Sequence, residues 1–255
     1  MIPLVTAIND KYFPGLVALN NSYRQNAGEG FELYCIVDGD ADLFARVEAL
    51  GVKTITATQW AEDYPVSPEW PDKIPALFAR LQIPRLFQNH QRAIWIDADC
   101  VIVQPLTELI DIEFDEPIAA CSPVDSNGNP SPNYELGFVL RHCPLGLEKK
   151  RVAFTGLIVF NIPEWNKGDL TERCAKTMLN EQLVFRYGDQ SVLAYVLMGD
   201  FHLLPMYWQI FANRGEAIPA NGKILHWVGP VVPWLTKMAH QEEWNKYGEV
   251  VEAPA

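Results

Sequence analysis

Ala93-Ile94-Trp95-Ile96-Asp97-Ala98-Asp99, continued by Val101-Ile102-Val103, is the most strand-like stretch of the chain. An apolar run of this kind reads as a buried strand, and it stops abruptly at two carboxylates. In extended backbone, residues i and i+2 point to the same side, so Asp97 and Asp99 can converge on one point. They fall at the carboxyl end of the strand, where open α/β sheets place their ligand crevice. Two anionic groups so close repel each other unless a cation lies between them, and a hard divalent ion such as Mg²⁺ or Mn²⁺ suits their oxygens. Aspartates spaced this way also occur at ordinary turns, where they accept backbone hydrogen bonds. On these residues alone both readings stand.

Working outward, strand-like and helix-like stretches alternate, the pattern of a layered α/β sheet. Pro3–Ile8 reads as a strand ending at Asn9-Asp10, and a helical face of Leu16, Leu19 and Tyr23 follows from Phe13 to the stop at Ala27-Gly28-Glu29-Gly30. Phe31–Val37 and Val52–Thr58 are expected strands around a helix at Ala41–Leu50. Residues 59–72 read as a loop, and Ile74–Phe87 as a helix that Pro84 kinks or restarts. The proline- and glycine-rich residues 122–150 are too long for a simple connection and suggest an ordered functional loop or flap. Phe154–Asn161 returns to strand, Leu170–Phe185 and Gln190–Met198 to helix. The tail offers a strand at Lys223–Trp227 and a helical segment from Trp234 to about Tyr247. No linker divides the chain, so one domain over 1–255 is expected.

The 255 residues carry 20 basic and 32 acidic side chains, a net charge of −12. Such a surface gives no electrostatic footprint for nucleic acid or an anionic membrane, so neither is expected as a partner. If phosphates bind, a metal ion must do the attracting. No stretch has the length and apolarity of a membrane span. The five cysteines are odd in number, widely spaced and free of C-x-x-C, which points to buried thiols in a reducing cytoplasm.

His226, after Lys223-Ile224-Leu225, is a candidate third ligand at a strand end; with two carboxylates it would tilt the site toward Mn²⁺ over Mg²⁺. A histidine in this place is otherwise an ordinary satisfied side chain.

Five short blocks then make the chain resemble glycosyltransferase family 8, the retaining nucleotide-sugar transferases that include glycogenin and galactinol synthase. Val5-Thr6-Ala7-Ile8-Asn9-Asp10-Lys11-Tyr12-Phe13-Pro14-Gly15 is similar to the opening T-x-x-N-D-x-Y-x-x-G block. Arg80-Leu81 with Pro84 resembles R-L-x-x-P, and Ile96-Asp97-Ala98-Asp99 with Pro105-Leu106 the metal-binding strand. Gly188-Asp189-Gln190 with Leu193 resembles G-D-Q-x-x-L, and His226-Trp227-Val228-Gly229 with Pro233-Trp234 the closing H-x-x-G-x-x-K-P-W.

The resemblance implies a GT-A fold, a mixed central sheet flanked by helices, with 1–103 mainly nucleotide-binding and 104–255 mainly acceptor-binding, and transfer of a hexose from a UDP-sugar with retention. By the same resemblance Ala7, Ile8, Asn9 and Tyr12 would line the uridine pocket, Arg80 and Ala98 would meet the donor, and Gly229 would admit the phosphates. Asp97, Asp99 and His226 would hold Mn²⁺, with Mg²⁺ as second choice. Asp189 would bind donor-sugar hydroxyls and Gln190 would lie near the anomeric carbon. The acceptor, whether carbohydrate, lipid-linked or protein, is not implied.

Two positions depart from the pattern. The lysine of the last block is Val232 here, and the asparagine of the central strand is Phe154. Losing a contact to the leaving group costs about 10² or more in rate, unless Lys223 or Lys237 substitutes. A catalytically weak nucleotide-sugar-binding protein of the same fold is therefore the alternative. A sugar nucleotidyltransferase ranks last, because the glycine-rich basic signature is absent after Val5.

Among the tryptophans, Trp70, Trp165, Trp208, Trp234 and Trp244 are candidates to stack on sugar rings, Trp208 foremost, although core packing is the commoner role. Lys149-Lys150-Arg151 is a small basic run that would suit an anion or simply be solvated, and His142 reads as a loop histidine.

Overall fold

The computed structural model describes residues 1–57, 78–125, 127, 129–140, 143–179, 187–215, 217–229 and 231–248. The expected loop 59–72 with Trp70, the start of the helix expected at Ile74, and His142 lie outside them. In chain order the strands are β1 (Ile2–Asn9), β2 (Phe31–Asp38), β3 (Lys53–Thr56), β4 (Arg92–Ile96), β5 (Cys100–Ile102), β6 (Ile118–Cys121), β7 (Leu157–Asn161), β8 (His202–Leu204), β9 (Ile210–Phe211) and β10 (Ile224–His226). The helices used below are α1 (Phe13–Asn26), α2 (Ala41–Ala49), α3 (Ile83–Leu86), α4 (Ile162–Lys167), α5 (Leu170–Met178), α6 (Asp189–Leu197) and α7 (Gln241–Asn245). No helix among the described residues is long and apolar enough to cross a membrane.

The chain forms two compact units. The first comprises Met1–Thr56, Ile96–Ile112 and Tyr207–Ala255. In it β1, β2 and β3 are parallel neighbours, joined by α1 and α2 as the apolar pattern predicts. Asp40 caps α2, its side chain accepting from the Leu43 N–H at 3.0 Å, which satisfies one of the helix's orphan donors. A smaller three-stranded sheet runs β5-β10-β9, with β10 antiparallel to β5 and parallel to β9. Helix α1 fastens β5 by polar contacts: the Ile102 N–H donates to Ser22 Oγ at 3.0 Å and Asn26 Nδ2 donates to the Ile102 carbonyl at 2.8 Å. Ala18, Val101, Leu225, Trp227 and Trp244 pack together beneath this sheet.

The second unit comprises Ala57–Trp95 and Glu113–Met206. Its strands follow the order β4-β7-β6-β8, with β6 antiparallel to β7 and parallel to β8. Both directions therefore occur, as a mixed sheet requires. Every residue of β6 and the first four of β7 are buried, the mark of strands covered on both faces. Within 122–150, Val124 bridges to Pro130 and Glu135 to Arg151. Leu136, Val139 and Leu140 bury themselves with Val152 and Ala194, so the described part of this segment is built on its own apolar cluster.

Several boundaries differ from expectation. Pro84 starts a new turn: Ala79–Gln82 is a 3₁₀ segment, and α3 begins at Ile83 with the proline in its first turn. The described part of the helix expected to reach Phe185 ends at Met178, and residues 180–186 are not described. The helix expected from Trp234 is confined to α7. The Val232 carbonyl accepts from the N–H groups of both Leu235 and Thr236, closing a turn, and His240 stands at φ +54° just before α7. Strands β6, β8 and β9 are not announced by periodicity.

Candidate metal and donor site

The two aspartates follow β4 directly, and the ladder between β5 and β10 supplies the third group. In that antiparallel pairing Cys100 faces His226, and the Trp227 N–H donates to the Asp99 carbonyl at 3.2 Å. This register brings together side chains more than a hundred residues apart in sequence. His226 Nε2 lies 3.0 Å from Asp99 Oδ1 and 3.6 Å from Asp97 Oδ2. The imidazole is 3% exposed and the Asp97 carboxylate 22%, so the cluster is closed on the histidine side and open on the other. Cys100 Sγ also lies within 4.8 Å of ligand atoms of Asp99 and His226. With Nε2 3.0–3.6 Å from one oxygen of each carboxylate, the three groups form a donor set that fits a divalent ion.

Tyr12 stands beside this cluster. Burial pushes its phenol above the ordinary tyrosine range, and the charges of Asp99 and Asp97 push it further, so the hydroxyl stays neutral. Its ring meets Trp234 edge to face at 5.4 Å, and Trp234 Nε1 donates to the Lys11 carbonyl at 3.1 Å. Gly15 explains the close approach of α1: a Cβ there would stand 2.5 Å from the Ala98 carbonyl and 2.9 Å from the Trp234 ring. Only a residue without a side chain lets the helix lie on the D-x-D backbone.

Among the described residues, Asn9 Oδ1 is buried without a hydrogen-bond partner. At Gly229 φ is +123°, and no atom of the described residues beyond its chain neighbours lies within 4 Å of where a Cβ would stand. Such a conformation disfavours any side chain, and the space above the backbone is open. Ala7 and Ile8 complete β1 on the way to Asn9.

In the second unit Arg80 and Asp189 form a buried pair, Nε to Oδ2 3.0 Å, each side chain 5% exposed. Arg80 Nη1 also donates to the Thr155 carbonyl at 2.6 Å, and the guanidinium lies 4.4 Å from the Trp95 ring centre. Asp189 opens α6 after Gly188, whose φ of +58° admits the turn, and Gln190 follows, largely buried.

The departures from the expected pattern have structural answers. Val232 is 1% exposed and belongs to the interior. Lys223, an expected substitute for the missing lysine, has its Nζ paired with Glu108 at 2.6 Å. Phe154 is buried, its ring edge-on to Tyr134 at 5.9 Å. Trp208 is 3% exposed with the Lys223 ammonium 5.4 Å from its ring centre, so it is a packing residue and not an open platform. Trp165 is fully buried and donates to Thr171; Trp234 and Trp244 pack on each other at 5.3 Å. In the basic run, Lys149 pairs with Glu135 at 2.8 Å and Arg151 covers Phe201. Sequence reasoning missed Gln209, whose Nε2 lies 2.9 Å from His226 Nδ1.

"Glycosyltransferase 8 domain-containing protein 1" of Xenopus tropicalis is 26% identical, over 91% of this chain and 73% of its own length. "Glycosyltransferase 8 domain-containing protein 2" of Homo sapiens is 22% identical, over 68% of this chain and 58% of its own. This chain thus spans little more than half of the human relative. The structure of the galactosyltransferase LgtC with donor and acceptor sugar analogues superposes with a TM-score of 0.74 at 16% identity, covering 99% of this chain and 98% of that one. At that identity the likeness establishes the fold, which is the GT-A type. The profile of glycosyl transferase family 8 matches residues 3–238, and the chain belongs to that family.

Proposed function

We propose that this chain is a metal-dependent, retaining glycosyltransferase that moves a hexose from a UDP-sugar to a carbohydrate, lipid-linked or protein acceptor. The observation that carries the reading is the convergence of Asp97, Asp99 and His226, with Nε2 at 3.0 and 3.6 Å from the two carboxylates. A protein of net charge −12 needs local positive charge to receive a diphosphate. A divalent ion in this cluster, Mn²⁺ before Mg²⁺, would supply it and neutralise charge gathering on the leaving group.

The chain's own residues divide the remaining work. Tyr12, neutral and braced by Trp234, offers a flat face to a base, and Asn9 Oδ1 is an acceptor awaiting an N–H or O–H donor. The open backbone at Gly229 allows phosphate oxygens to approach closely. Asp189, aligned by Arg80, is proposed to accept hydrogen bonds from donor-sugar hydroxyls, and Gln190 to stand by the anomeric carbon. With Val232 apolar and Lys223 engaged by Glu108, neither supplies a cation to the leaving diphosphate, so turnover should depend steeply on the ion.

Titrating UDP with and without Mn²⁺, then assaying hydrolysis of UDP-glucose and UDP-galactose, tests the proposal. Metal-dependent binding with donor hydrolysis is expected. Tight binding with no turnover on any donor or acceptor would instead support a nucleotide-sugar-binding role. The absence of metal-dependent UDP binding would overturn both.

A further inference from the structure

His226 presents two ring nitrogens to two different neighbours. Nε2 faces Asp99 and Asp97. Nδ1 faces the carboxamide of Gln209 at 2.9 Å. Gln209 is fully buried, and among the described residues its Oε1 has no hydrogen-bond partner. The strand ladder fixes this meeting, because Gln209 immediately precedes β9 and β9 runs parallel to β10, with Phe211 opposite His226. A buried amide held beside a ring nitrogen, with one end unused, has a choice of two roles.

When the amide donates to Nδ1, the hydrogen of the neutral ring is on Nε2 and points at Asp99. Asp99 then has a donor, but Nε2 has no lone pair to offer a cation. When the amide is turned end for end, Oε1 accepts the Nδ1 hydrogen and Nε2 is bare toward the carboxylates. Histidines that ligate metals are held in that second state by an acceptor on the far nitrogen. A carboxamide can serve both states, whereas a carboxylate can only accept and an aliphatic side chain can do neither.

We propose that Gln209 is a positioning residue for His226 whose amide reverses when the site takes up its ion, donating to Nδ1 in the metal-free protein and accepting from it in the loaded one. For a neutral ring the one hydrogen leaves Nε2 and returns at Nδ1, so this step releases no net proton. This inference rests on the reading of Asp97, Asp99 and His226 as metal ligands.

The test uses the full chain with ¹⁵N-labelled histidine, the His226 resonances assigned by their loss in His226→Gln. Two-bond proton–nitrogen spectra should show hydrogen on Nε2 in metal-free protein and on Nδ1 with Mg²⁺ and UDP bound. The same tautomer in both states, or a ring carrying both hydrogens in the metal-free protein, overturns the proposal. In parallel, Mn²⁺ affinity is measured by the electron paramagnetic resonance of free Mn²⁺. Gln209→Leu should weaken it about 10- to 100-fold, while Gln209→Glu should stay within about 3-fold of wild type. A merely structural role would make the buried carboxylate at least as damaging as leucine, and that result also overturns the proposal. Wild-type protein that binds no Mn²⁺ defeats the metal reading itself, whereas wild type and Gln209→Leu binding equally defeats only the role of Gln209.

Discussion

Gly15→Ala is the most informative single substitution, because two general expectations for it have opposite signs. In an exposed helix, glycine to alanine stabilises by about 0.5–1 kcal/mol. Here the new Cβ would stand 2.5 Å from the Ala98 carbonyl, against an ordinary contact of 3.4 Å, so about 0.9 Å must be found. The obstacle is backbone and cannot rotate away, and the Trp234 ring at 2.9 Å blocks the other side. A rigid backbone obstacle puts the overpacking cost in the upper part of its range, about 2–3 kcal/mol, leaving a net destabilisation of about 1–2.5 kcal/mol. In thermal unfolding this is a fall of about 2–10 °C. The strain also has an address. Ala98 lies between the two aspartates, so Mn²⁺ affinity should fall along with stability, by about 10-fold. Urea unfolding and Mn²⁺ titration of the same variant measure both. A variant as stable as wild type, or more so, would refute the claim that α1 rests on the D-x-D backbone.

Other outcomes follow from the same structure. Arg80→Leu leaves the Asp189 carboxylate buried without its partner and should cost about 3–5 kcal/mol in chemical denaturation, while the double variant with Asp189→Leu should cost less than Arg80→Leu alone. Trp234→Leu removes the edge-to-face brace of Tyr12, worth about 0.5–1.5 kcal/mol, and should weaken UDP binding about 2- to 10-fold with Mn²⁺ binding in the absence of nucleotide unchanged. Burial raises the thiols of Cys35 and Cys174 far above the cysteine range, so they hold their protons at pH 8, and Cys100 and Cys121 are sealed in strands. A thiol reagent should therefore titrate Cys143 alone in native protein and all five after unfolding; a second fast thiol would show the packing to be looser than described.

The parts of the fold that were legible in the sequence are those with a strong local signal. The apolar run ending at Asp97 marks β4, and β-branched and apolar runs mark β1, β2 and β7. Ile118-Ala119-Ala120-Cys121 carries no such signal, because small residues suit a strand squeezed between two neighbours as well as they suit a helix. Strands β8 and β9 are too short for any period to appear. At the carboxyl end, tertiary packing overrides propensity: Trp234 is drawn to Tyr12 and Lys11, and the segment turns where a helix would carry the ring away. In the site, the spacing of Asp97 and Asp99 makes them candidates but leaves an ordinary turn open as well. His226 is a candidate from its place at a strand end, but only the β5–β10 register brings it to the aspartates, and Gln209 emerges only through the pairing of β9 and β10. The described candidate tryptophans, Trp165, Trp208, Trp234 and Trp244, take the commoner of their two roles and join elements together.

Anomalous diffraction at the manganese edge, from crystals grown with UDP and Mn²⁺, addresses the central claim most directly. The account predicts one strong peak within about 2.0–2.3 Å of carboxylate oxygens of Asp97 and Asp99 and of His226 Nε2. A nucleotide bound with no peak at this cluster, or a peak from which the imidazole is turned away, would contradict it.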